Sequence, residues 1–246
     1  GLVCTMCACF SAGVLASTGS IPLTFVTGIG MGMAAGWING FLITRYKLQP
    51  FIATLAMTNI AQGITQIYTN GQAVSGVEKI RFLGQGSVLG IPMPVIVMLA
   101  AVAVIACLMK FTTLGVRIYA IGGNEKATIA SGINVNRSKR VIFTISGALV
   151  GLAGIVLMAR LMSGQPSVGS GYEFDAITAV IVGGTSFSGG IGTVTGALIG
   201  SIIVGLINNI LNLLHVPTQY QLIVKGLLIA GAVIIDVKTK ENKKAA

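Results

Sequence analysis

Gly28, Gly32, Gly36 and Gly40 recur at every fourth position inside Ile21 to Ile43, a stretch with no charged residue. Residues four apart share one face of a helix, so this spacing predicts a stripe of bare backbone. In a soluble helix each glycine costs about 1 kcal/mol relative to alanine. In lipid the stripe lets a second backbone approach to van der Waals contact. The device returns at Gly192, Gly196 and Gly200, within the uncharged stretch Ile191 to Leu214. Two such ladders predict an all-α integral membrane protein, a polytopic bundle of closely packed helices.

Composition agrees. Apolar residues make up 54% of the chain and charged ones 9%, against about 25% charged in soluble domains. Mean hydropathy is +0.89. A net charge of +10 would suit nucleic acid, but the basic residues stand in short breaks between apolar stretches. That is the pattern of cytoplasmic loops, so the expected environment is membrane lipid, with no nucleic-acid partner.

Apolar stretches of sufficient length predict about eight membrane segments in a single transmembrane domain over residues 1–246. They are Leu2 to Ser17, Ile21 to Ile43, Phe51 to Tyr68, Ile91 to Met109, Val141 to Ala159, Phe174 to Val182, Ile191 to Leu214 and Tyr220 to Ile235. Phe174 to Val182 is too short to cross as a helix and runs into Gly183-Gly184, so a short or broken span is expected there. Twelve of the sixteen basic residues fall on the side of residues 110–140 and the C-terminus. That side is expected to be cytoplasmic, and Thr69 to Gly90 external. Gly36 to Leu42 resembles Gly205 to Leu211, a faint repeat in helices that would run in opposite senses. The chain starts at Gly1, already apolar, and is expected to lack its true N-terminus.

Chemistry is sparse. The motif CxxCxC of Cys4, Cys7 and Cys9 has no histidine or carboxylate beside it, so these read as small packed hydrophobes, with no metal site and no cofactor. No Walker A sequence and no hydrolytic motif occurs, so the chain is not expected to be an enzyme. No Asp, Glu or His falls at the centre of a span, which argues against proton coupling and a charged substrate. The spans carry neutral amides instead. Asn39, Asn59, Gln62, Gln66, Asn208 and Asn209 are candidates for a polyol path, with Asn59, Gln62, Thr65 and Gln66 expected on one face. Helix-to-helix hydrogen bonding is the alternative use for such groups. Within 112–140, Asn124 is placed to cap a short helix from Glu125 to about Ser131, stopped by Gly132. Such a helix suits docking into a partner's groove.

The stretch YAIGGNEKATIASGINV (119–135) resembles the cytoplasmic loop of the permease subunits of ribose-type ABC importers. PFIATLAMTNIAQGI (50–64), GYEFDAITAVIVGGTSFSGGIGTVTGALIG (171–200) and INNILNLLHVPTQYQLIVKGLLI (207–229) resemble the same family in the same order. The family's G-I-D-L-S-V-G-like segment is missing and would precede Gly1. The resemblance implies the transmembrane subunit of an ATP-driven importer moving a neutral monosaccharide, such as ribose, across the bacterial cytoplasmic membrane. Implied partners are a cytoplasmic ATP-binding subunit, a second permease subunit, like or related, and an extracytoplasmic sugar-binding protein. Asn124, Glu125, Ala127, Ser131 and Gly132 match the family's coupling helix. A branched-chain amino-acid ABC permease, an ion-coupled secondary carrier and a non-transporting scaffold are the alternatives.

Overall fold

Proline and glycine set the helix ends. In the computed structural model, which describes residues 1–187, 189–217, 219–228, 230, 231 and 234, α1 (Leu2–Thr18) stops at Gly19. A φ of 66° there turns the chain left-handed and returns its N–H to the Leu15 carbonyl. Both α2 (Ile21–Arg45) and α3 (Pro50–Thr69) carry proline in the first turn, where an N–H has no partner to lose. The stretch between α3 and α5 then folds on itself as a 3-10 turn (Glu78–Ile80), α4 (Arg81–Gln85) and a hairpin of β1 (Ser87–Val88) with β2 (Ile91–Pro92). Thus α5 (Met93–Phe111) starts two residues later than the apolar pattern suggests, because Ile91 pairs with Val88. Next come α6 (Thr113–Gly123), α7 (Glu125–Ala130), α8 (Val135–Leu161), α9 (Tyr172–Val182) and α10 (Val194–Leu213). Described residues from 219 onward are helical. Ile235, Asp236 and the lysine-rich tail lie outside the described residues.

Among the described residues, α2, α5, α8 and α10 are long and apolar enough to cross a membrane. The α1 helix is apolar but shorter, and α3 has the length but carries three amides and four threonines. The chain is an all-α membrane protein, its small hairpin apart. At 11 residues, α9 is about 16 Å long, roughly half the hydrocarbon thickness.

The chain forms two units. The first comprises Gly1–Ala103 and Asn134–Ser170. Here the ladder of α2 meets a second ladder on α8. A Cβ on Gly32 would strike the Gly147 carbonyl and the Gly151 amide; one on Gly36 would strike the Phe143 carbonyl. Reciprocally, Gly147 and Gly151 face the carbonyls of Gly32 and Gly28. Partner numbers fall as α2 numbers rise, so the helices are antiparallel. Small residues fill the inside: Cys7, Cys9, Ser11 and Ala12 on α1 and Ala61 on α3 are fully buried. Large ones such as Val26, Trp37 and Ile67 point outward, as contact with lipid requires. At one end Arg140 donates to Thr44 Oγ1 at 2.8 Å and lies over the Phe41 ring. At the other, Val77 and Ile80 plug the core formed by Ala8, Leu15, Ile155 and Met158.

The second unit comprises Val104–Ile133 and Gly171–Ala246. Its seam is the antiparallel pair α9–α10, where Gly196 faces the Gly183 carbonyl and Gly200 the Ala179 carbonyl. The α2 ladder is thus a contact surface, and so are Gly196 and Gly200 of the second; Gly192, expected as its first rung, falls in the turn before α10. The faint repeat is not matched in packing: Gly36 is pressed against α8, while a Cβ on Gly205 would meet nothing within 4 Å.

Candidate functional site

The second unit holds a sharp corner. Its start is Thr112, whose Oγ1 accepts from the Leu114 N–H and opens α6. A bare face at Gly115 lets α6 fold back against the Met109 carbonyl. At the far end Asn124 does two jobs. Its N–H donates to the Ala120 carbonyl at 3.0 Å, closing α6. Its Oδ1 accepts from the Ala127 N–H at 3.0 Å, opening α7. Thr128, buried, ties its hydroxyl to the Asn124 carbonyl at 2.8 Å. Ser131 donates its hydroxyl to the Ala127 carbonyl, and Gly132, at φ 78°, ends the turn with its N–H on Ile129. The result is a short rigid helix, ending one residue earlier than Ser131, that presents Glu125, Lys126, Ala127 and Ile129 to the outside. An independent helix at α6 was not expected from the sequence. The capping threonine and the Gly122-Gly123-Asn124 stop were its available signals.

The six amide candidates divide between the two units, four in the first and two in the second. Asn39 is buried on α2, with no hydrogen-bond partner for its Oδ1 among the described residues. On α3, Asn59, Gln62 and Gln66 share a face about 60° wide that points away from the buried row Ala53, Met57, Ala61, Thr65 and Thr69. Thr65 does not join them, contrary to the four-residue stripe. At 100° per residue it falls on the packed side, where its hydroxyl donates to the Ala61 carbonyl. In the other unit Asn208 is half-buried, its Oδ1 without a hydrogen-bond partner among the described residues, and Asn209 is exposed.

One pair escaped the sequence reading. Lys225 Nζ lies 2.8 Å from Asp175 Oδ1 and 3.0 Å from Oδ2, with both side chains about three-quarters buried. Asp175 sits in the first turn of α9, where the helix dipole also favours a negative charge. Asp175 is therefore already neutralised by a lysine from another apolar segment. Opposite charges isolated in two otherwise apolar stretches were the available signal. Cys4, Cys7 and Cys9 are free and buried on α1, and no group of three metal-ligating side chains occurs among the described residues.

Comparison with known proteins decides the class. A family model described as the permease component of branched-chain amino acid transport systems matches residues 1–233. The ribose import permease RbsC of Bacillus subtilis is 45% identical over 241 residues, covering 97% of this chain and 75% of that protein. The chain belongs to the ribose-type ABC permease family. The Escherichia coli RbsC is 42% identical over 92% of this chain and 75% of its own length. The D-allose permease AlsC of the same organism is 42% identical over 91% and 69%. No solved structure gives a significant match. The permease is thus a multi-pass inner-membrane transport subunit and not an enzyme, and its family works with an ATP-binding subunit and a substrate-binding protein.

Proposed function

We propose that this permease is the transmembrane subunit through which an ATP-driven importer moves a neutral monosaccharide, ribose being the first candidate. The observation that carries the reading is the likeness to ribose import permeases at 42–46% identity over most of the chain. The physical chemistry is consistent with it. A sugar needs hydrogen-bonding groups without net charge, and the amides Asn39, Asn59, Gln62, Gln66, Asn208 and Asn209 supply them. A proton-coupled carrier would need a titratable group free to load in each cycle. Asp175 is held by Lys225 instead. Branched-chain amino-acid transport is the less favoured reading, because sugar permeases align over nearly the whole chain.

In this reading residues 1–246 form one permease domain with about eight membrane segments, α9 being a half-span. Residues 110–140 and the C-terminus are cytoplasmic, as the basic residues suggest. A second permease subunit completes the pathway, and an external sugar-binding protein delivers the substrate. Asn124, Glu125, Ala127, Ser131 and Gly132 form the helix that docks on the ATPase.

The test uses the full-length permease with its ATPase and binding protein in proteoliposomes. Ribose uptake is expected to require ATP on the cytoplasmic side and to survive a protonophore. Leucine uptake without ribose uptake would favour the amino-acid reading. Uptake by the permease alone that collapses with the proton gradient would overturn ATP coupling. Replacing Glu125, Lys126 and Ala127 by proline is expected to abolish uptake and loosen ATPase co-purification while the membrane bundle stays folded.

A further inference from the structure

We propose that α6 and the glycine-rich turn at Gly189, Gly190 and Gly192 act as one body, and that Tyr119, Gly122, Gly190 and Gly192 form the joint that passes motion of α7 to the α9–α10 pair. The proposal rests on α7 being the ATPase-docking helix. It adds where the push goes next.

Three junctions make the relay, all within the second unit. The first joins α7 to α6 through Asn124, whose N–H, carbonyl and Oδ1 are all engaged, so neither helix can tilt without the other. The second joins α6 to the glycine turn. Tyr119 Oη donates to the Gly192 carbonyl at 2.8 Å, across 73 residues of sequence. One turn further, backbone meets backbone. A Cβ on Gly122 would lie 2.5 Å from the Gly190 amide nitrogen, and one on Gly190 would lie 2.8 Å from the Gly123 Cα. Gly189 and Gly190 hold φ of 87° and 78°, which L side chains rarely adopt. Glycine is therefore demanded twice here, by contact and by conformation.

The third junction joins the turn to the membrane pair. The Thr185 N–H closes on the Val180 carbonyl at 3.0 Å, and the Ser186 N–H on the Ile191 carbonyl at 2.9 Å. Gly183 then lies directly against Gly196. A contact made of backbone has no side-chain slack, so displacement at one face is transmitted to the other. Beside the joint is a cavity of about 420 Å³ lined by Ile105, Met109, Ile118, Ile191, Val194 and Ala197. Tyr119, Gly122, Gly190 and Gly192 line the same cavity, so the joint forms part of its wall.

The experiment measures sugar uptake per ATP hydrolysed in the reconstituted complex. Gly122→Val wedges the joint; Tyr119→Phe removes one hydrogen bond and keeps the shape. Gly123→Ala, whose Cβ would meet nothing within 4 Å, is the control. The ratio is expected to fall about tenfold in Gly122→Val and about threefold in Tyr119→Phe, with the ATPase still bound and hydrolysing. Gly123→Ala is expected to match the parent. An unchanged ratio in Gly122→Val overturns the joint. If that variant fails to fold, an unchanged ratio in Tyr119→Phe overturns it. The triple proline variant of α7 separates the two claims: if it still binds the ATPase and transports, the docking role of α7 is what fails.

Discussion

The two glycine seams apply one sequence device to different ends. Along α2, Gly28, Gly32 and Gly36 meet a second ladder on α8, and both helices are long enough to span. Behind that seam stand two cores, one around Leu15, Ile155 and Met158, the other around Met6, Ala35 and Met57. Along α10, Gly196 and Gly200 meet an eleven-residue helix that ends in Gly183-Gly184, the second at positive φ. On α9 and α10 the buried residues are Thr178, Ala179, Gly200 and Val204. Glycine spacing therefore sets how closely two backbones approach. The length and backing of the partner set whether the contact is a fixed frame or the edge of something that moves.

The largest effect is expected where the frame is broken. Gly36→Leu drives a side chain into the Phe143 carbonyl and the Gly147 Cα, both backbone and both in a helix that cannot retreat past its core. Overpacking of this kind costs about 3 kcal/mol or more. Little folded protein should survive detergent extraction, read by size-exclusion chromatography after a temperature series. Gly205→Leu, which meets open space, should behave like the parent.

Gly196→Leu tests the other side of the comparison. Its Cβ meets the Gly183 carbonyl at the very end of α9, where the following turn can give way. The expected stability loss is smaller, about 1–2 kcal/mol, whereas uptake should be lost. Equal thermal losses in Gly36→Leu and Gly196→Leu would erase the distinction between frame and moving edge.

How much of this was legible in the sequence follows from the range of each interaction. The α2 ladder, the Asn124 cap and the Gly132 stop are local, and the structure has each of them. The ladder on α8 was equally periodic at Gly147 and Gly151, but a periodicity names a face and not its partner. The β1–β2 hairpin was invisible, because two residues per strand carry no pattern. So was the approach of Gly122 to Gly190, which depends on how the glycine turn folds back. Thr65 was misassigned by one step of 100°, since spacing groups neighbours without saying where the packed side begins.

The Asp175–Lys225 pair offers a subtler break. Asp175→Asn or Lys225→Met leaves one charge half-buried. A cost of about 2 kcal/mol is expected, between the values for exposed and buried pairs. If the pair serves to hold the last helical segment against α9, exchanging the two as Asp175→Lys with Lys225→Asp should recover part of that stability in a double-mutant cycle. Recovery is expected to be incomplete, because lysine in the first turn of α9 opposes the helix dipole. No coupling energy would mean that the moving edge is held by its glycine seam alone.

The smallest stability effect, and the sharpest functional one, is expected on α3 in the frame unit. Asn59, Gln62 and Gln66 point away from the packed row and make no side-chain hydrogen bond to described residues. Replacing each by leucine should therefore shift stability by less than about 0.6 kcal/mol, the mean worth of a polar contact between membrane helices. If the face lines the sugar path, uptake must fall nonetheless, since a polyol loses a hydrogen-bonding partner for each amide removed. Thr65→Val is the matched control on the packed side of the same helix. It removes a buried hydroxyl bonded to the Ala61 carbonyl at nearly constant volume and should touch stability more than transport. Uptake that follows stability in all four variants would make α3 an inert strut. Uptake that falls in the three amide variants alone would mean that a frame helix carries the path on its unpacked side.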